Sequence, residues 1–393
     1  MFPLKAIQDA IGAEGLDGWL LYDFRDNNPL ACRVLGLGPE AHLTRRLFCF
    51  VPAEGEPLKL VHRIEDSVLA AVPGKTMLYS SADEMRGALT EMLNGVGRAA
   101  MEYAPDGTNP YISLVDAGTV ELVRSIGAEV ASSGNLVQRF DAVWSGAQWA
   151  AHREASAGVL AAFDAAWAMV RECLAAGESL RETEVQAVML DRLAGAGLVT
   201  DHPPIVAVGP NSGNAHYAPQ AGSDAEIVKD AFLLIDAWGK LDHPDAVYAD
   251  YTRVAYTGDA VTPMIAEVFG VVAAARDAAV SLVEKAFSDG ATLEGWEVDR
   301  AARGVIEAAG YADAFVHRTG HSIGRELHGS GAHMDSLETR YERTVMPGTC
   351  FSIEPGIYLP EFGVRSEVNL YVDPKGKVDV TGEPQSEVLL LHT

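Results

Sequence analysis

Cysteine is scarce in this chain: Cys32, Cys49, Cys173 and Cys350 are the four among 393 residues. No two of them stand in a C-x-x-C spacing, so neither a zinc knuckle nor a disulfide framework organises the fold. Positive charge is also in short supply, with 30 Lys and Arg against 55 Asp and Glu and a net charge of −25. A surface of that sign repels phosphate backbones and anionic lipid, which argues against nucleic acid and membrane as partners. No apolar run approaches the ~20 residues that cross a bilayer. The opening Met1-Phe2-Pro3-Leu4-Lys5, with Asp9 and Glu14 close behind, lacks the apolar core of a signal peptide, and the cytoplasm is the expected location.

What the chain has is ample material for packed cores, 48% of its residues being hydrophobic. Its length exceeds one ordinary domain and predicts two. Residues 1–145 alternate strand-like runs, such as Trp19-Leu20-Leu21-Tyr22 and Leu47-Phe48-Cys49-Phe50-Val51, with helical stretches such as 81–94. They read as a smaller N-terminal α/β domain. From Ala147 the pattern turns into a long alanine-rich helix, so a second domain is expected over 146–393. An internal repeat marks that second domain. Gly177-Glu178-Ser179-Leu180, Glu184-Val185 and Ala196-Gly197 recur 113 residues later as Gly290-Ala291-Thr292-Leu293, Glu297-Val298 and Ala309-Gly310. Each copy reads as a turn, a capped helix and a glycine stop. The fixed register predicts two related halves.

Four acidic residues stand in apolar segments that read as strands. Asp236 follows Phe232-Leu233-Leu234-Ile235, and Asp250 lies in Val247-Tyr248-Ala249-Asp250-Tyr251-Thr252, with a loop containing Gly239, Pro244 and Asp245 between them. Glu354 follows Cys350-Phe351-Ser352-Ile353, and Glu367 lies in Val364-Arg365-Ser366-Glu367-Val368-Asn369-Leu370. A carboxylate in an apolar strand is costly to bury unless a cation meets it. Four of them with His321 form the donor set that a pair of hard divalent cations requires.

The stretches Ile235-Asp236-Ala237, Tyr248-Ala249-Asp250-Tyr251-Thr252-Arg253, Thr319-Gly320-His321-Ser322-Ile323-Gly324, Ser352-Ile353-Glu354-Pro355-Gly356-Ile357-Tyr358 and Gly363-Val364-Arg365-Ser366-Glu367 resemble, in order, the motifs of the pita-bread metallopeptidases. That family includes prolidases, Xaa-Pro aminopeptidases, methionine aminopeptidases and the metal-free creatinases. The resemblance implies a creatinase-like α/β N-terminal domain followed by a pita-bread α+β domain with a pseudo-two-fold repeat. It implies that Asp236 binds one metal ion, that His321 and Glu354 bind the other, and that Asp250 and Glu367 bridge them, with Glu354 also the general base. It assigns His216 and His328 to the substrate and the scissile carbonyl, groups His317 with them in substrate binding, and has Arg365 and Thr252 orient the ligands. Two divalent ions per subunit are implied. Oxygen-rich ligation points to Mn²⁺, with Co²⁺ or Zn²⁺ as alternatives.

Two departures from the family pattern stand out. The two aspartates are fourteen residues apart where most relatives have eleven, so the loop over 239–247 is enlarged. The glutamate usual just after the second histidine is absent: the chain reads His328-Gly329-Ser330-Gly331-Ala332-His333, a stretch that suggests a flexible pocket wall. The two-domain length fits a dipeptidase acting on small Xaa-Pro peptides, whose free carboxylate calls for an arginine. Arg340 stands where some prolidases place one. The alternatives are an Xaa-Pro aminopeptidase acting on longer peptides, a metal-free creatinase-like hydrolase, and a binding protein that has lost catalysis. The intact ligand set argues against the last two. The resemblance further implies a homodimer that uses the N-terminal domain.

Overall fold

A computed structural model describes residues 2–38 and 40–391. The chain divides into two compact units, Met1–Asp141 and Ala142–Thr393. The first is built on one sheet whose strands lie in the order Lys75–Tyr79, Leu58–His62, Leu47–Pro52, Gly18–Asp23, Arg98–Met101 and Glu129–Ser132. Its central strand Gly18–Asp23 is buried along its whole length. Leu21 and Trp19 face one apolar cluster, Leu20 and Tyr22 the other, as strand alternation requires when both faces are covered. The helix read at 81–94 runs Ala82–Met92, with Ser81 and Glu84 exchanging cap hydrogen bonds.

In the second unit the repeat is realised residue for residue. Helix Glu182–Gly195 corresponds under the 113-residue offset to helix Gly295–Ala308, and the long helices before them, Gly146–Ala176 and Pro263–Asp289, both stop at a left-handed glycine, Gly177 at φ 67° and Gly290 at φ 66°. The backbone N–H of Arg181 reaches Glu184 and that of Glu294 reaches Glu297, each at 2.8 Å. Strands Phe232–Leu241 and Ala249–Tyr256 pair antiparallel between the two helical layers. Leu233, Ile235 and Ala237 join the cluster under helix Gly146–Ala176, whereas Phe232 and Leu234 join the cluster containing helix Pro263–Asp289. Asp236 belongs to the second row by alternation.

Gly239 lies inside a strand and not in the expected loop. The strand continues to Leu241 because Leu198–Val199 pairs with Lys240 and Leu241 along it, so the connection shortens to 242–248. Glu354 and Glu367 sit just outside strands. Cys350–Ile353 and Val368–Val372 pair antiparallel with Ile353 opposite Val368, and one further step of that register would put Glu354 opposite Glu367.

Candidate metal centre

Strand register accounts for the first part of the site. Asp236 pairs with Thr252, and Asp250 lies two residues from Thr252 on the same face. The Thr252 hydroxyl stands 2.8 Å from Asp236 Oδ1 and 2.9 Å from Glu367 Oε2, and it accepts the Arg365 Nε–H at 2.8 Å. Arg365 also donates to Asp236 Oδ2 at 2.6 Å and, through Nη1, to the Tyr358 hydroxyl at 3.0 Å.

His321 enters from the next strand pair. Its backbone N–H donates to Ser352 Oγ at 2.9 Å, and that hydroxyl in turn donates to Glu354 Oε1 at 3.0 Å. A side chain at Gly320 would collide with the Ser352 carbonyl, so glycine is what lets residue 321 approach. The imidazole Nδ1 lies 3.1 Å from the Ser322 carbonyl, while Nε2 stands 3.4 Å from both Asp250 Oδ2 and Glu354 Oε1. Donation from Nδ1 leaves Nε2 as the ligand atom. Asp250, His321 and Glu367 offer donor atoms close enough to share one ion, and Asp236 and Glu354 complete the ring through Thr252 and His321.

The electrostatics ask for positive charge. Burial lifts the pKa of Asp236 and takes that of Asp250 to about 7, with the hydrogen bond to His321 opposing; burial and the charge of Asp250 push Glu367 well above the carboxylate range. Burial acts the same way on Glu354, but the charges of His321 and Arg365 outweigh it and hold that pKa low. For His321 burial works against the charged form, and the Asp250 hydrogen bond and Glu354 charge prevail, raising it. Asp250 Oδ1 and Glu367 Oε1 are buried without a hydrogen-bond partner. Orphaned buried carboxylate oxygens are expensive, and divalent cations are the partners that satisfy them. The residues fit the metal pair the resemblance implies.

The remaining predicted residues fall in different places. The His328 ring stands edge-on to that of His321 with centroids 4.4 Å apart; the residue is exposed, and the charge of His321 is the main cause that holds its pKa below normal. His216 is an exposed loop residue whose charge is also felt at His328. Its loop is held by Glu182, whose buried carboxylate accepts from Val208 N at 2.7 Å, Asn211 Nδ2 at 2.9 Å, Tyr217 Oη at 2.6 Å and Ala225 N at 2.8 Å. His317 Nε2 lies 2.7 Å from the Tyr358 hydroxyl, and burial lowers its pKa to about 4. Arg340 is exposed. Its guanidinium lies 4.2 Å over the Trp296 ring and 3.3 Å from Glu342, neither of them a site residue.

Arg318 is the arginine whose charge bears on Glu354, His321 and His328. In the sequence Arg318 carries no signal of its own, standing just before the Thr319-Gly320-His321 stretch. Asn369 is equally unmarked by motif, yet its carboxamide pairs both backbone groups of Asp250, at 3.0 and 2.8 Å. A lone amide in the apolar strand Val368–Val372 was the available signal. The glycine-rich stretch after His328 is packed, not a loose wall: Gly329 N donates to Ser322 O at 2.7 Å, and Gly331 N to Ser322 Oγ at 3.0 Å. A side chain at Gly331 would overlap that hydroxyl.

Known proteins resemble this chain over its whole length. Residues 150–374 match the model of metallopeptidase family M24. The probable dipeptidase PepE of Mycobacterium tuberculosis is 28% identical over 361 residues, which cover 90% of this chain and 88% of that one. The Xaa-Pro dipeptidase of Lactobacillus delbrueckii subsp. lactis is 35% identical over 164 residues, 42% of this chain and 40% of its own. The crystal structure of dipeptidase PepE from Mycobacterium ulcerans aligns with a TM-score of 0.69 at 24% identity, covering 99% of this chain and 97% of its own. The architecture is thus the two-domain pita-bread fold.

Proposed function

Because the chain belongs to metallopeptidase family M24, we propose that it is an Xaa-Pro dipeptidase that works with two divalent cations held by Asp236, Asp250, His321, Glu354 and Glu367. The observation that carries this reading is the convergence of four carboxylates and one imidazole, buried except for the partly exposed Glu354, with one oxygen each of Asp250 and Glu367 left without a hydrogen-bond partner. Such ions lower the pKa of water and stabilise an oxyanion. Glu354, whose pKa is held low, is the base that takes the proton of the attacking water. His328, kept neutral beside His321, donates a hydrogen bond to the carbonyl oxygen as charge develops there. His216 serves the leaving nitrogen, which in an Xaa-Pro bond is a secondary amine that must gain a proton. Arg318 is better supported than Arg340 for the free carboxylate, since its charge reaches the catalytic groups whereas Arg340 lies exposed beside Trp296 and Glu342, neither of them a site residue.

Manganese follows from the oxygen-rich donors. Residues 146–393 act as the catalytic domain, and the homodimer through residues 1–145 and the cytoplasmic location rest on the resemblance and on the sequence. Among the described residues no helix is long and apolar enough to cross a membrane. The test is hydrolysis of Ala-Pro beside Ala-Pro-Ala by chelator-stripped protein with and without Mn²⁺, repeated with Glu354→Gln. Metal-dependent cleavage of the dipeptide, falling by about 10²–10⁴-fold in the variant, is expected. Preference for the tripeptide would make the protein an aminopeptidase, and full activity of the variant would remove Glu354 as the base.

A further inference from the structure

The rows of side chains that carry the metal ligands do not stop at the metals. On strand Phe232–Leu241 the row containing Asp236 continues to Trp238, and Tyr248, the last residue before the facing strand, stands two residues before Asp250. Trp238 is the ladder partner of Asp250, so its Cβ stands about 5 Å from that of a metal ligand. An indole beside buried carboxylates would be expected to give them its N–H. It does not: Nε1 donates to Asp201 Oδ1 at 2.6 Å, a solvent-exposed bond. The side chain packs against the apolar cluster that contains Val247, Tyr248 and Ile323, and Leu327, the neighbour of His328, packs against the same cluster.

Trp238 is nevertheless only half-buried, on a strand whose residues from Phe232 to Ala237 are all buried. Its polar atom is spent, so what it leaves exposed beside the ligand rows is apolar surface, and apolar surface gains free energy by covering more of its kind. Asp236 and Asp250, the carboxylates on the strand pair that carries Trp238, form the end of the site that draws a cationic α-amino group, and so the end for the residue on the amino side of the scissile bond. We propose that Trp238, held in orientation by Asp201 and packed with Leu327 against the cluster that contains Tyr248, is the wall that receives the side chain of the N-terminal residue, and that the enzyme thereby favours substrates with a bulky apolar Xaa. The inference rests on the dipeptidase reading for its substrate, but the wall itself is a property of the two strands.

The experiment compares Gly-Pro, Ala-Pro, Leu-Pro and Phe-Pro on Mn²⁺-loaded wild type, Trp238→Ala, Trp238→Phe and Asp201→Asn. Wild type is expected to prefer Phe-Pro to Gly-Pro in kcat/KM by about 10-fold or more. Trp238→Ala should erase most of that ratio through KM, Trp238→Phe should keep most of it, and Asp201→Asn should fall between. A wild type indifferent to the size of Xaa, or a ratio that survives in Trp238→Ala, overturns the proposal. If no Xaa-Pro peptide is cleaved by any of the proteins, the dipeptidase reading has failed on its own. The wall is then read by calorimetric titration of free L-phenylalanine and glycine into the same Mn²⁺-loaded proteins. Tighter binding of phenylalanine that is lost in Trp238→Ala supports it, and equal binding by wild type, or a preference that outlives the indole, removes it.

Discussion

Asp250 is held by its backbone as much as by anything its carboxylate touches. Asn369 accepts its N–H and donates to its C=O, at 3.0 and 2.8 Å, and both groups are buried. Replacing Asn369 with Ala leaves a donor and an acceptor unpaired, a cost of about 1–3 kcal/mol each before relaxation. It also frees a proposed bridging ligand to drift, and groups that orient ligands typically carry about 10–100-fold of metal affinity. Asn369→Ala is therefore expected to lose both stability in denaturant titration and affinity in Mn²⁺ titration. Lost stability with unchanged Mn²⁺ affinity would confine Asn369 to the fold. The sequence already exposed the chemistry at this scale, because an acid in an apolar strand is conspicuous. It concealed the residues that hold the acids still: Asn369, Ser352 and Glu182 are ordinary polar residues until the fold brings them their partners.

Helices and strands were legible where a signal is local, and less so where pairing decides. Gly177 and Gly290 stop the two long helices in the left-handed conformation the repeated grammar implies. Gly239 misled because glycine reads as a turn, yet pairing along Leu198–Val199 keeps the strand extended past it. The loop carrying His216 was beyond reach of sequence, since its shape is set by one carboxylate from a distant helix. Glu182 accepts from Val208, Asn211, Tyr217 and Ala225, and so grips the loop on both sides of the histidine. Glutamine in its place presents an NH₂ group to donors, and at least one bond must break. Glu182→Gln is expected to lower kcat by about 10-fold or more while two Mn²⁺ remain bound, because small misplacements of a reacting group are costly. If the effect passes through His216, the double variant with His216→Ala should be no slower than His216→Ala alone. Independent, additive losses would show that the clamp serves something else.

At the scale of the whole molecule, the two-unit architecture was legible from length and repeat, whereas the order of strands in the first sheet was not, since neighbours such as Gly18–Asp23 and Arg98–Met101 meet across long stretches of chain. The strong acidity could suggest that stability is governed by carboxylate repulsion and should improve as pH falls. A buried histidine argues for the opposite slope. His152, wholly buried, joins helix Gly146–Ala176 to two distant segments, its Nδ1 2.7 Å from the Tyr248 carbonyl and its Nε2 2.9 Å from the Thr381 hydroxyl. Burial lowers its pKa from 6.5 to about 4. The folded form therefore binds fewer protons than the unfolded chain between those values, and its contribution is present above pH 6.5 and lost as pH falls toward 4. With one pKa unit worth about 1.4 kcal/mol, acidification from neutrality to roughly pH 4.5 should remove about 2 kcal/mol through this residue alone. Denaturant titrations at the two pH values, on wild type and on His152→Gln, separate this term from the rest. Glutamine does not titrate, so the variant, whatever its stability at neutral pH, should lose about 2 kcal/mol less on acidification. An equal loss in both proteins would mean that His152 is not the group through which acid acts.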